Sequence, residues 1–169
     1  MIQEQLKKTK HQIHFRSAVA TPSNLRELLN DGCRMLHYTG HGSKEFLGFE
    51  SDDDQSCGIM EPLKVDRLKA LFQAGGIKKG GVKTELVFIS SCSSEPSGMA
   101  FVEAGVPHVV AVKVQERVTD DKARKFGKAF YSALVIGRYT VKHSFDIASA
   151  TVNATGSDQV DNFLLLPRG

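Results

Sequence analysis

The chain has 169 residues, 22 of them Lys or Arg and 19 Asp or Glu, and the resulting formal charge of +3 is too small to define a nucleic-acid-binding surface. With 41% hydrophobic and 24% charged residues, 15 Gly and only 5 Pro, the composition is that of an ordinary globular chain, which excludes disordered, collagen-like and low-complexity classes. The longest apolar runs, such as Phe163 to Leu166, fall far short of the roughly 20 residues needed to cross a bilayer, and Met1-Ile2-Gln3-Glu4 does not open a signal peptide.

These features point to one domain over residues 1–169, in the cytoplasm, with no nucleic-acid or membrane partner. Cys33, Cys57 and Cys92 are odd in number and widely spaced, so they suit a reducing compartment better than a disulfide framework. Ile2 to Lys10 reads as the end of an amphipathic helix. Gln12 to Val19 alternates apolar and polar residues like a strand with one wet face and ends at Thr21-Pro22. Ser23 or Asn24 can cap a short helix, Leu25 to Asn30, which Asp31-Gly32 closes. A strand, Arg34 to Thr39, follows. Beyond Gly40-His41-Gly42, the segments Phe46 to Glu50 and Ser56 to Met60 form a hairpin around the acidic loop Ser51 to Asp54.

Val65, Leu68, Leu71 and Phe72 share one helical face, so Lys64 to Ala74 is an amphipathic helix ended by Gly75-Gly76. Leu86 to Ile89 is a continuous apolar run, the pattern of a parallel strand covered on both faces. Ser97 to Gly105 is a short helix, His108 to Val114 a second buried strand, and Thr119 to Ile136 a long helix capped by Thr119. Val141 to Val152 is a further helix and Phe163 to Leu166 a last strand. This alternation predicts an open, mostly parallel α/β sheet with right-handed crossovers and helices on both faces.

Ligands of such sheets bind beyond the carboxyl ends of the strands. Two strands deliver chemistry there: the first leads into Gly40-His41-Gly42, the second into Ser90-Ser91-Cys92-Ser93-Ser94. If they are neighbours, an imidazole and a thiol emerge at one edge. A nearby imidazole and the positive end of a following helix both favour a nucleophilic thiolate. The amides of Gly42 and Cys92 could together bind a developing oxyanion.

His37-Tyr38-Thr39-Gly40-His41-Gly42 with Ile89-Ser90-Ser91-Cys92-Ser93-Ser94 resembles the CHAT domain, a caspase-like group among the cysteine peptidases that include caspases, metacaspases and separase. The likeness continues through Gly105 to Val112, Val118-Thr119-Asp120 and Phe126 to Leu134, and covers roughly Glu4 to Pro167 in order. Cys92 follows His41 by 51 positions, which agrees with the caspase spacing of about 50. The resemblance implies His41 as proton carrier, Cys92 as nucleophile, the amides of Gly42 and Cys92 as oxyanion hole, and a supporting part for His37. Family members usually carry an additional first strand, which this chain begins too late to contain, and many carry tetratricopeptide repeats ahead of the domain.

Metacaspases place an aspartate two residues before the cysteine to receive a basic side chain, a position held here by Ser90. Cys92-Ser93-Ser94 and Thr119-Asp120 resemble separase, which would go with cleavage after a basic residue. Asp120 is first a helix-start residue and second a specificity residue. The Asp52-Asp53-Asp54 run is first a solvated loop tip and second a contact for a basic substrate. Cys33 and Cys57 are expected to be structural, and His37 a packed strand histidine rather than the base.

His37 and His41 are four apart, about 13 Å along a strand, too far for chelation, so no metal is expected. The glycine-rich stretch Gly76 to Thr84 precedes a strand where a phosphate loop needs a helix, and reads as a basic surface loop. The expected function is a cofactor-free cysteine endopeptidase acting on a protein or peptide, with regulatory repeats or a partner protein as further associates. The alternative is a catalytically silent interaction module within a signalling assembly.

Overall fold

The computed structural model describes residues 13–56, 58–75, 83–114, 116, 118–154 and 162–167. The helix expected over Ile2 to Lys10, Cys57 and most of the basic loop after Gly75 lie outside them. The chain folds as two compact units, one of Ala18–Arg117 and Phe163–Gly169, the other centred on Val118–Asn162.

The first unit opens with α1, Pro22–Asn30. Its cap is Thr21, ahead of the expected Ser23 or Asn24: the Thr21 hydroxyl accepts from the amide of Asn24 at 3.2 Å, and Pro22 takes the first helical position, where no N–H is needed. Of the strand expected over Gln12 to Val19, the described residues 13–19 form no strand. Phe15 and Val19 are about half exposed; Val19 O is taken up locally by Thr21 N and the Asn24 side chain, and Ala20 O accepts from the sequence-distant Glu50 N. A ladder would need those same groups.

Strand β1 is Met35–Thr39, and β2, Phe46–Glu50, pairs with β3, Met60–Lys64, as a separate antiparallel hairpin. The second hairpin strand therefore starts at Met60, where the expectation had it end. The intervening residues bond among themselves: Ser56 N donates to Asp53 O, Ile59 N to Ser56 O, and a 3₁₀ turn spans Asp54–Ser56. Pro62 fits β3 because β3 is an edge strand, paired with β2 on one side only.

Helix α2, Val65–Gly75, leads to β4, Leu86–Ser90; α3, Glu95–Glu103, leads to β5, His108–Val112; and β6, Phe163–Leu166, closes the unit. The sheet order is β1-β4-β5-β6, parallel except for β6. This is the mostly parallel α/β sheet expected. Tyr38, Val87, Ile89, Val109, Ala111, Leu164 and Leu166 share one core with Leu25 and Leu29 of α1, Leu68 and Phe72 of α2, Phe101 of α3, and Leu47 and Phe49 of β2. Leu86, Phe88, Val110 and Val112, of opposite strand parity, are equally buried.

In the second unit, α4 is Asp120–Tyr131, continued by a π-helical turn over Ser132–Ile136, and α5 is Val141–Ala154. Thr119 caps α4 as expected, with Asp120 and Asp121 in its first turn. Phe126 meets Phe145 edge-on at 5.4 Å, joining the two helices.

Candidate active site

Register brings the two chemical segments to one edge. Strands β1 and β4 are adjacent and parallel, paired from Met35↔Leu86 to Thr39↔Ser90. His41 and Cys92 each stand two residues beyond that last pair. Side chains alternate along a strand, so His37 and Thr39 face the side taken by Phe88 and Ser90, away from the core face of Tyr38 and Ile89. His41 is exposed and Cys92 half-buried.

The His41 segment is held by its backbone. The carbonyl of His41 accepts from Gly48 N at 2.8 Å and from the Tyr38 hydroxyl at 3.0 Å, and Ser43 N donates to Phe46 O at 2.9 Å. These bonds flank the antiparallel bridge between Gly42 and Leu47. In such a pair the bonds run from the residues on either side, so the amide and carbonyl of Gly42 itself are turned away from β2. The position also favours glycine: a Cβ there would run into the Ser91 hydroxyl and force it aside. Close approach of Gly42 to Ser91 thus locks the His41 segment onto the end of β4.

Cys92 and Ser93 form a turn between β4 and α3. Ser93 has φ 49°, a left-handed conformation uncommon outside glycine, and its amide donates to Glu116 O at 3.2 Å. Ser94 precedes the first residue of α3, and its buried hydroxyl accepts from Val112 N at 3.0 Å, tying the helix start to the end of β5. Cys92 thereby stands just ahead of the positive end of a helix whose cap is anchored to the sheet.

His37 does not reach this edge as a base would. It lies within β1, stacked on Phe88 with ring centroids 4.8 Å apart, and burial pushes its pKa down to about 4, so it is neutral at physiological pH. Cys33 lies before β1, at the opposite end of the sheet; its thiol donates to Met35 O and is raised by burial, an effect only partly offset by that bond.

The remaining candidates are dispersed. Ser90 is the last paired residue of β4, half-buried beside Thr39, and its carbonyl accepts from Gly40 N at 3.4 Å. Asp53 is turned into its own loop: its carboxylate accepts from Gln55 N at 3.1 Å and lies 3.5 Å from the Ser56 hydroxyl. Asp120 belongs to the other unit, at the start of α4. Among the described residues no cluster of three or more His, Cys, Asp or Glu could hold a metal ion, and no helix is long and apolar enough to cross a membrane.

Two residues escaped the sequence reading. Tyr38 was only a strand position, yet a buried tyrosine needs a partner for its hydroxyl, and Gly40-His41-Gly42 just beyond it was the nearest bare backbone. Ser91 was one serine of four, and nothing in the sequence marked it as the one packed under Gly42.

The fold is of the caspase-like α/β class, with a thiol and an imidazole following neighbouring parallel strands. Residues 1–142 match the CHAT domain, and the chain belongs to that family. Among solved structures it is similar to the Arg specific cysteine proteinase gingipain R (RGPB), with a TM-score of 0.65 over 97% of this chain at 13% identity. That likeness is one of fold, and this chain spans only 39% of the gingipain chain. No curated protein matches it by sequence.

Proposed function

We propose that the protein is a caspase-like cysteine endopeptidase in which Cys92 is the nucleophile and His41 the proton carrier. The observation that carries this reading is the register: two adjacent parallel strands end level at Thr39 and Ser90, and each delivers its reactive residue two positions later. The Cys92 sulfur passes its proton to His41 and attacks the peptide carbonyl carbon. The carbonyl electron pair moves to oxygen, which the amides of Gly42 and Cys92 receive. Each such donor is worth about 10²–10³-fold in rate. Collapse expels the amine, which takes the proton from His41, and water activated by the freed imidazole hydrolyses the thioester.

The gingipain neighbour is described as Arg specific, which goes with the expectation of cleavage after a basic residue. An acidic partner for such a side chain is not evident in Asp53, whose carboxylate is engaged in its own loop, and Ser90 offers only a hydroxyl.

A peptide acyloxymethyl ketone library tests the proposal. Labelling of the wild type that is lost in Cys92→Ala and kept in Cys33→Ala and Cys57→Ala is the expected result, with the preferred residue before the reactive carbon reporting specificity. Absence of labelling across the library would favour the silent interaction module.

A further inference from the structure

The described residues hold one arrangement near the Gly40-His41-Gly42 segment that the proposed chemistry does not yet use. The Tyr38 hydroxyl lies 3.0 Å from His41 O and 2.5 Å from Gly48 O, its single proton placed between two carbonyls. Gly48 N also donates to His41 O at 2.8 Å. Tyr38 is buried, its ring stacked on Phe49 at 5.6 Å. Burial, only partly offset by the bond to Gly48, pushes its pKa up to about 12, so the phenol keeps its proton and remains a donor across the working pH range.

The carbonyl of His41 and the amide of Gly42 belong to one peptide unit, which is planar and trans, so the two groups point in opposite directions. Whatever fixes the first aims the second. We propose that Tyr38 is a positioning residue for the oxyanion hole: together with the Gly48 amide it holds the carbonyl of His41, and so keeps the Gly42 N–H turned away from the hairpin and toward the place where substrate oxygen becomes negative. This rests on the proposed peptidase chemistry and adds to it a residue that never touches substrate.

The geometry also explains Gly40. A Cβ at that position would lie 2.6 Å from the Tyr38 hydroxyl oxygen and 3.0 Å from the ring carbon that bears it. Any side chain there would push the phenol off its two carbonyls.

The test compares a reaction that needs the oxyanion hole with one that does not. A peptide aldehyde inhibitor adds the Cys92 sulfur to its carbonyl carbon, and the carbonyl electron pair moves to an oxygen that lies in the hole and takes up the thiol proton. Iodoacetamide alkylates the same sulfur by displacing iodide and develops no oxyanion. In Tyr38→Phe, which keeps the ring on Phe49, aldehyde affinity and kcat on a peptide reporter should fall together by about ten- to a hundredfold, less than or equal to the loss of one donor. KM and the rate of iodoacetamide alkylation should stay within about twofold.

Gly40→Ala, which displaces the hydroxyl without removing it, should show the same selective loss and serves if Tyr38→Phe does not fold. Equal falls in aldehyde affinity and alkylation, or no fall in either, would overturn the positioning role. A wild type whose aldehyde binding survives Cys92→Ala would instead overturn the peptidase reading on which it rests.

Discussion

The two ends of the β1–β4 strand pair carry the same residue type in different settings. At the amino end, Cys33 donates its thiol to Met35 O, its carbonyl accepts from the Thr84 hydroxyl at 2.8 Å, and Arg34 bridges Glu85 at 2.8 Å. The thiol there is satisfied locally and faces no imidazole along the register. At the carboxyl end, Cys92 stands in a strained turn between a buried strand and a helix start, level in register with His41. What separates the two cysteines is their place on the sheet: one end of a parallel strand meets a helix amino terminus and the other does not, and the proposed peptidase chemistry puts the reactive thiol at the first.

Breaking the reactive end should give the largest effects. Cys92→Ala should abolish turnover of a peptide reporter, a loss of at least about 10³-fold in kcat/KM, while Cys33→Ala stays within about twofold in the same assay. His41→Ala should lower kcat by about 10²–10⁴-fold with little change in KM. His37→Phe should keep most of that activity, since His37 is a packed ring rather than the base.

The Gly42–Ser91 contact offers a finer probe. Gly42→Ala forces the Ser91 hydroxyl aside and should lower stability by about 1–3 kcal/mol along with activity. Ser91→Ala removes a buried hydroxyl that has no hydrogen-bond partner, so it should be neutral or slightly stabilising and should restore part of the stability lost in Gly42→Ala. Urea unfolding of the two single variants and the double variant measures that coupling; strict additivity would show that the two residues do not meet.

His37 sets a pH dependence that is independent of catalysis. Unfolded, the ring takes up a proton near pH 6.5; folded, it resists until about pH 4. Between those values the unfolded chain holds more protons, so stability is complete above pH 6.5 and falls as pH drops toward 4, by up to about 3 kcal/mol. His37→Phe should flatten the melting temperature over that window, and a variant as acid-sensitive as the wild type would refute the assignment. Smallest of all, Arg34→Ala at the quiet end should change stability by less than about 1 kcal/mol, because the Arg34–Glu85 bridge is solvent-exposed.

Much of this architecture was legible in the chain. Leu86 to Ile89 and Val109 to Val112 are unbroken apolar runs, the pattern of strands covered on both faces, and both lie in the central strands of the sheet. Thr119 and Asp31-Gly32 marked helix ends through backbone chemistry that is local and therefore readable. The failures came where side-chain pattern and backbone pairing part company. Residues 13–19 alternate like a strand but spend part of their backbone on the start of α1, and β3 contains a proline that only an open-edged hairpin tolerates. The level ends of β1 and β4 are a matter of register, which periodicity leaves free, so bringing the segments that carry His41 and Cys92 to one edge was an expectation conditional on two strands being neighbours. Tyr38 bonds the backbone carbonyls of His41 and Gly48, and Ser91 lies against the Gly42 backbone, contacts that carry no side-chain signal.

The most direct measurement is chemical cross-linking with 1,3-dibromoacetone, whose two reactive carbons span only a few ångströms. A sulfur and an imidazole sharing one groove predict a single intramolecular bridge between the peptide bearing Cys92 and the peptide bearing His41, found by mass spectrometry after digestion and absent in His41→Ala. Single alkylation of Cys92 with no bridge, or a bridge to any other residue, would contradict a shared site.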